Sequence, residues 1–148
     1  MDTKIQEQLT AINTATNKIG GLYDRWAQKH NISQYTVCIF YCLLADEVLT
    51  QKLVKDDFKI PKQSVNNIVI SLKNDGYITL EPNADDKREK LIRLTDEGRT
   101  YAEELLAPLF AIEETVIKKM GQKLVQQMID GTTAYCNYLE QEMEKSDL

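Results

Sequence analysis

Histidine is nearly missing from this chain: His30 is the only one in 148 residues, and cysteine is confined to Cys38, Cys42 and Cys136. A zinc or copper site needs His, Cys and carboxylates clustered at ligand spacing, so no metal is expected, and His30 reads as an ordinary polar residue at a helix end. Three thiols are an odd number that fits no small-domain disulfide framework, which points to reduced cysteines in a reducing compartment. No run of about 18 apolar residues occurs, and the start MDTKIQEQL lacks the basic and then apolar regions of a secretory signal. A soluble, cytoplasmic protein without a membrane partner is expected. A Gly-rich phosphate loop and a G-x-S-x-G elbow are also missing, and the one His has no recognisable Ser or Cys partner, so neither catalysis nor a cofactor is expected.

What the chain does have is 43% hydrophobic residues, enough to pack a core without metal or disulfide staples. Its net charge of −5 runs against nucleic-acid binding, which draws its affinity from Lys and Arg on phosphates. The distribution is more informative than the sum. Residues 52–99 carry ten basic and nine acidic side chains, a net +1, while the remainder carries eight and fourteen, a net −6.

Ile5, Leu9, Ile12, Thr16, Ile19, Tyr23 and Trp26 recur at spacings of three and four, predicting one long amphipathic helix from about residue 3 to about 29. Ser33 is a suitable N-cap for a second, apolar helix over Gln34–Leu44. A third, shorter helix is predicted from about Thr50 to Asp57. A fourth runs from about Pro61, whose missing N–H suits a first turn, to about Asn74.

The fourth helix divides by face. Val65, Ile68, Val69 and Leu72 form an apolar stripe, leaving Lys62, Gln63, Asn66, Asn67, Ile70 and Lys73 outward. Lys, Gln and Asn can reach phosphates or pair with base edges, although a merely solvated face would look the same. The chain beyond this helix distinguishes the two. Asp75-Gly76 stops the helix, Tyr77–Leu80 alternates as a strand, and Glu81–Asp86 is rich in turn formers. Lys87–Lys90 then forms a charged tip, Leu91–Leu94 returns as a second strand, and Thr95 caps the next helix. A helix followed by a two-stranded charged wing is the pattern of a winged helix-turn-helix, which places one element in the DNA major groove and another beside it.

Asp86-Lys87-Arg88, then Leu94-Thr95-Asp96-Glu97-Gly98 after five residues, resembles the wing signature D-x-R…L-T-x-x-G of the MarR family of transcription regulators. The resemblance extends from about residue 5 to about 145. It implies a mostly α (α+β) fold with a single domain over 1–148, a winged helix-turn-helix at about 34–98, and dimerisation helices at about 3–29 and 99–146. It also implies a double-stranded DNA partner contacted through Pro61, Lys62, Gln63, Ser64, Asn66, Asn67, Lys73, Lys87, Arg88 and Lys90. Arg88 would enter the minor groove, whose concentrated negative potential attracts Arg. Asp86, or Asp85 beside it, would hold the wing by pairing with an Arg, with Arg93 as the candidate.

Tyr101, Leu105, Leu109, Ile112, Val116 and Met120, then Leu124, Met128, Tyr135, Leu139 and Met143 beyond Gly121, repeat at helical spacing. Pro108 should kink or divide the first of these two helices. So much apolar surface calls for a second subunit, the alternative being an intramolecular three-helix bundle. A homodimer would set two recognition helices about 34 Å apart and prefer a pseudo-palindromic site. The resemblance further implies a small aromatic or anionic effector between reading head and dimerisation helices. Tyr23, Trp26, Tyr35, Ile39 and Tyr41 are candidates to line its pocket, or else core residues. Two alternatives stay open: a helical protein-interaction module without DNA binding, and redox control through Cys136 or Cys38. Some relatives carry a reactive Cys early in the first helix, where this chain has none.

Overall fold

The computed structural model of the chain describes residues 2–50, 52–54, 60–84, 86 and 88–146. Lys87, Asp85 and the end of the expected third helix at residues 55–57 lie outside the described residues. In chain order the elements are α1 (Thr3–Lys29), α2 (Gln34–Asp46) and β1 (Leu49–Thr50), then a helical segment, α3, at residues 52–54. There follow α4 (Lys62–Asn74), β2 (Ile78–Pro82), β3 (Lys90–Leu94), α5 (Asp96–Met120) and α6 (Gln122–Lys145). The chain divides into two compact units, Met1–Leu106 and Ala107–Leu148, with the boundary inside α5.

Capping chemistry sets the helix ends. Asp2 accepts from the Lys4 amide at 2.7 Å and starts α1. Ser33 accepts from the Thr36 amide at 3.0 Å and starts α2, satisfying N–H groups that have no partner within the helix. His30 is the C-cap of α1, where its Nδ1–H donates to the Trp26 carbonyl at 2.8 Å and its ring stacks on Trp26. Helix α2 runs two residues past the expected end and stops at Glu47, which takes up the left-handed conformation, with φ 60°.

The wing is broader than the sequence suggests. Strand β1 joins it, giving an antiparallel sheet of order β1-β3-β2 with Leu49 opposite Ile92 and Ile78 opposite Leu94. Thr50 therefore belongs to a strand and not to the helix expected there, and its hydroxyl accepts from the Leu53 amide at 3.1 Å as α3 begins. A two-residue strand has no periodicity to detect; it exists because β3 offers an open edge.

The core of the first unit joins α2, α4, the sheet and the start of α5 through Ile39, Phe40, Leu43, Val65, Val69 and Ile92, all nearly or fully buried. Each such side chain contributes roughly 1.5–3 kcal/mol of burial before entropy is subtracted. Of the apolar stripe expected on α5, Leu109 is nearly buried, and the core also takes in residues one position further on. Ala102 and Leu106 are fully buried, whereas Ile112 and Val116 are exposed and Leu105 is only partly covered. The reason is Gly98, one and two turns before them, which lies so close to the Tyr77 backbone that any Cβ would overlap its carbonyl. This contact selects the stripe Gly98-Ala102-Leu106 for the core. Pro108 does not divide α5, which is continuous from Asp96 to Met120. Its ring removes the bond to the carbonyl of Glu104. The second unit comprises the end of α5, Gly121 and α6, and none of the described residues of α6 is buried.

Candidate nucleic-acid interface

Helix α4 starts without a side-chain cap. Pro61 occupies the N-cap position, and its carbonyl accepts from the Val65 amide at 3.1 Å, but its ring has no oxygen to offer the first N–H groups. That leaves a positive helix end suited to an anionic oxygen. Val65 and Val69 anchor the helix on the core, which turns Lys62, Gln63, Asn67, Ile70 and Lys73 outward and leaves Ser64 and Asn66 partly covered. On the outer face the Gln63 side-chain amide donates to Asn67 Oδ1 at 2.9 Å, so each orients the other.

The other end of α4 connects to the wing through a Schellman motif. The Tyr77 amide donates to the Leu72 carbonyl at 2.9 Å and the Gly76 amide to that of Lys73 at 3.1 Å, with Gly76 at φ 79°. Thr95 closes the far side of the hairpin. Its hydroxyl donates to the Gly76 carbonyl at 2.7 Å and accepts from the Gly98 amide at 2.9 Å, while its own amide donates to the Tyr77 carbonyl at 3.0 Å. The L-T-x-x-G pattern is thus the junction at which α5 is capped and tied to the turn between α4 and β2. Tyr77 stacks on Tyr101 there, with ring centroids 4.3 Å apart. Burial, and then the neighbouring Tyr101, Asp75 and Glu97, raise the Tyr77 phenol above its ordinary pKa.

At the tip, Asp86 Oδ1 accepts from the Arg88 amide at 2.9 Å and the Asp86 carbonyl accepts from the Glu89 amide at 2.9 Å. The acid of D-x-R therefore shapes the turn that carries Arg88 by bonding to backbone. Among the described residues Arg93 pairs not with Asp86 but with Glu81, Arg93 Nε donating to Glu81 Oε2 at 3.1 Å, while the alternative partner Asp85 lies outside the described residues. The register accounts for this, because Arg93 lies opposite Thr79 and Glu81 is its diagonal neighbour on the same sheet face.

Between α4 and the wing lies an open cleft of about 590 Å³ bordered by Lys62, Gln63, Asn66 and Asn67 from the helix and by Arg88 and Lys90 from the wing. The structure thus gathers most of the expected DNA-contacting residues around one concavity. Ser64, Lys73 and Pro61 are on α4 or at its start but outside the cleft lining. Six lining residues were not anticipated in that role: Val65 and Val69, expected only in the apolar stripe, and Lys52, Ile70, Leu80 and Glu89. Ile70 was legible, since it shares the outward stripe of Gln63, Asn66 and Asn67. Lys52 was not, because only the pairing of β1 with β3 carries it there.

The five aromatic and aliphatic candidates for an effector pocket differ in burial. Ile39 is fully buried, while Tyr35 and Tyr41 are exposed and Tyr23 and Trp26 half-buried. Residues 39 and 41 are two apart on α2 and so project to nearly opposite sides. Ile39 is a core residue. Among the cysteines, Cys42 is buried, Cys38 partly buried and Cys136 exposed. A hydrogen bond with Cys42 lowers the Cys38 thiol pKa, against the opposing effect of burial. Among the described residues no cluster of His, Cys, Asp or Glu could hold a metal ion, and no helix is long and apolar enough to cross a membrane.

No protein-family model matches the chain, and none of the curated proteins matches it. Solved structures do. A MarR family regulator from Neisseria meningitidis superposes with a TM-score of 0.83 at 24% identity, covering 94% of this chain and 98% of that one. The MepR protein of Staphylococcus aureus in its DNA-binding conformation gives 0.74 at 19% identity over 89% and 98% of the two chains. MarR of Staphylococcus aureus in complex with salicylate and kanamycin gives 0.70 at 22% identity over 95% of each. The chain therefore has the fold of the MarR regulators.

Proposed function

We propose that the chain is a sequence-specific, double-stranded DNA-binding transcription regulator of the MarR type, acting in the cytoplasm as a homodimeric repressor. The observation that carries this reading is the cleft in which Lys62, Gln63, Asn66 and Asn67 of α4 face Arg88 and Lys90 of the wing. Its shape and chemistry suit a duplex: α4 enters the major groove, Gln and Asn offer paired donors and acceptors to adenine, and Lys62, Lys73 and Lys90 meet phosphates. Arg88 reaches the adjacent minor groove. Lys87 belongs to the same group by its place beside Arg88.

Dimerisation is supported by the apolar side chains that stay exposed along the terminal helices. Ile5, Ile12 and Ile19 mark α1, and Leu124, Met128, Leu139 and Met143 mark α6. Repeated at helical spacing on each helix, they leave α1 and α6 each with an apolar stripe that a second copy would cover. A two-fold pair reads a pseudo-palindrome. The salicylate bound to the Staphylococcus aureus relative suggests a small aromatic or anionic effector that releases the DNA, a role for which Tyr23, Trp26, Tyr35 and Tyr41 remain candidates.

The test is a binding titration of the purified protein on a fluorescent duplex from its own promoter region, across salt, with a random duplex as control. Tight binding that is selective and falls steeply with salt is expected. Equal, weak affinity for both duplexes at low salt would overturn the reading.

A further inference from the structure

Ile70 departs from the chemistry of its surroundings. It is 58% exposed, more than any other large hydrophobic side chain described in residues 1–106. A β-branched residue on a solvated helix face contributes nothing there to packing or to helix propensity. Its position is specific. Gln63, Asn66, Asn67 and Ile70 occupy one stripe of α4 roughly 100° wide, with Ile70 near its centre line, one turn beyond the two asparagines. The same four residues border the cleft, whose rim is basic at Lys52, Lys62, Arg88 and Lys90.

Resting on the DNA-binding reading above, we infer that Ile70 is a specificity-determining residue that packs against a thymine C5-methyl in the major groove, beside an adenine read by Asn66 or Asn67. The major groove displays one apolar group, the thymine methyl, and an aliphatic side chain amid amide donors and acceptors is complementary to it. The Gln63–Asn67 hydrogen bond at 2.9 Å adds to this by holding the Asn67 amide beside Ile70. An amide and an apolar contact side by side call for A·T pairs under this part of the helix, with thymine on a defined strand. The basic rim supplies the charge complementarity that seats the stripe on a duplex and not on a protein.

The experiment begins with a random-sequence duplex library selected on the full-length protein. The recovered site is then resynthesised with deoxyuridine replacing each thymidine in turn, which removes the methyl and leaves pairing intact. At one or two thymines per half-site, wild-type affinity should fall about fourfold, the loss expected for one buried methyl-sized group. With Ile70→Ala, which sits on an exposed helix face and preserves folding, the same replacements should have no effect. A selected site that is insensitive to uracil everywhere, or a penalty that persists in Ile70→Ala, would overturn the inference and leave DNA binding intact. Failure to recover any preferred site would overturn both.

Discussion

Arg88 and Gly98 belong to the same sequence signature but act through different physics. Arg88 stands exposed on a turn shaped by Asp86, so its removal should leave the fold intact. Arg88→Ala is expected to weaken specific DNA binding by about 1–3 kcal/mol with unchanged unfolding behaviour, measured by duplex titration beside chemical denaturation. Unchanged affinity would take Arg88 out of the interface. Gly98 is structural: a methyl there meets the Tyr77 carbonyl, and α5 must move to admit it. Gly98→Ala should cost about 1–3 kcal/mol of stability, as overpacking does, visible as a lower denaturation midpoint. The glycine itself is easy to see in the sequence, but its reason lies across a chain reversal that no local pattern displays.

At the scale of elements, helix ends were the most legible features, because a cap is decided by two or three neighbouring residues. Ser33 starts α2 and Gly76 ends α4 as their chemistry predicts. Contacts between elements were harder to read. Among the described residues Arg93 pairs with Glu81 and not with Asp86, and register explains it. Both side chains are close to half exposed, at 41% and 49%, so water screens the pair and its worth is about 0.2–1 kcal/mol. Arg93→Ala should therefore lower stability by less than about 1 kcal/mol, with the loss shrinking at high salt; a larger, salt-insensitive loss in a denaturant titration would show the pair to be more than a surface clip. On α5, periodicity allowed several adjacent stripes, and the approach of Gly98 to Tyr77 selected Ala102 and Leu106 over Leu105.

Across the whole molecule, residues 52–99 carry a net +1 and the remainder of the chain a net −6. If α1 and α6 pair with a second copy, sedimentation should give about twice the chain mass. Leu139→Glu, on the exposed face of α6, should shift the protein toward monomer and cost most of its preference for a two-half-site duplex over a single half-site. A monomeric wild type at micromolar concentration would refute the dimer. The N-cap of α2, the C-terminal stop of α4, its polar face and the turn chemistry of the wing were written locally, since each depends on residues within one or two turns of one another. The third strand, the inward stripe of α5, the partner of Arg93 and the entry of Lys52 into the cleft were not, because each depends on which distant backbone comes alongside. That choice belongs to the packed chain, where one close contact such as Gly98 on Tyr77 selects among faces that local periodicity leaves equivalent.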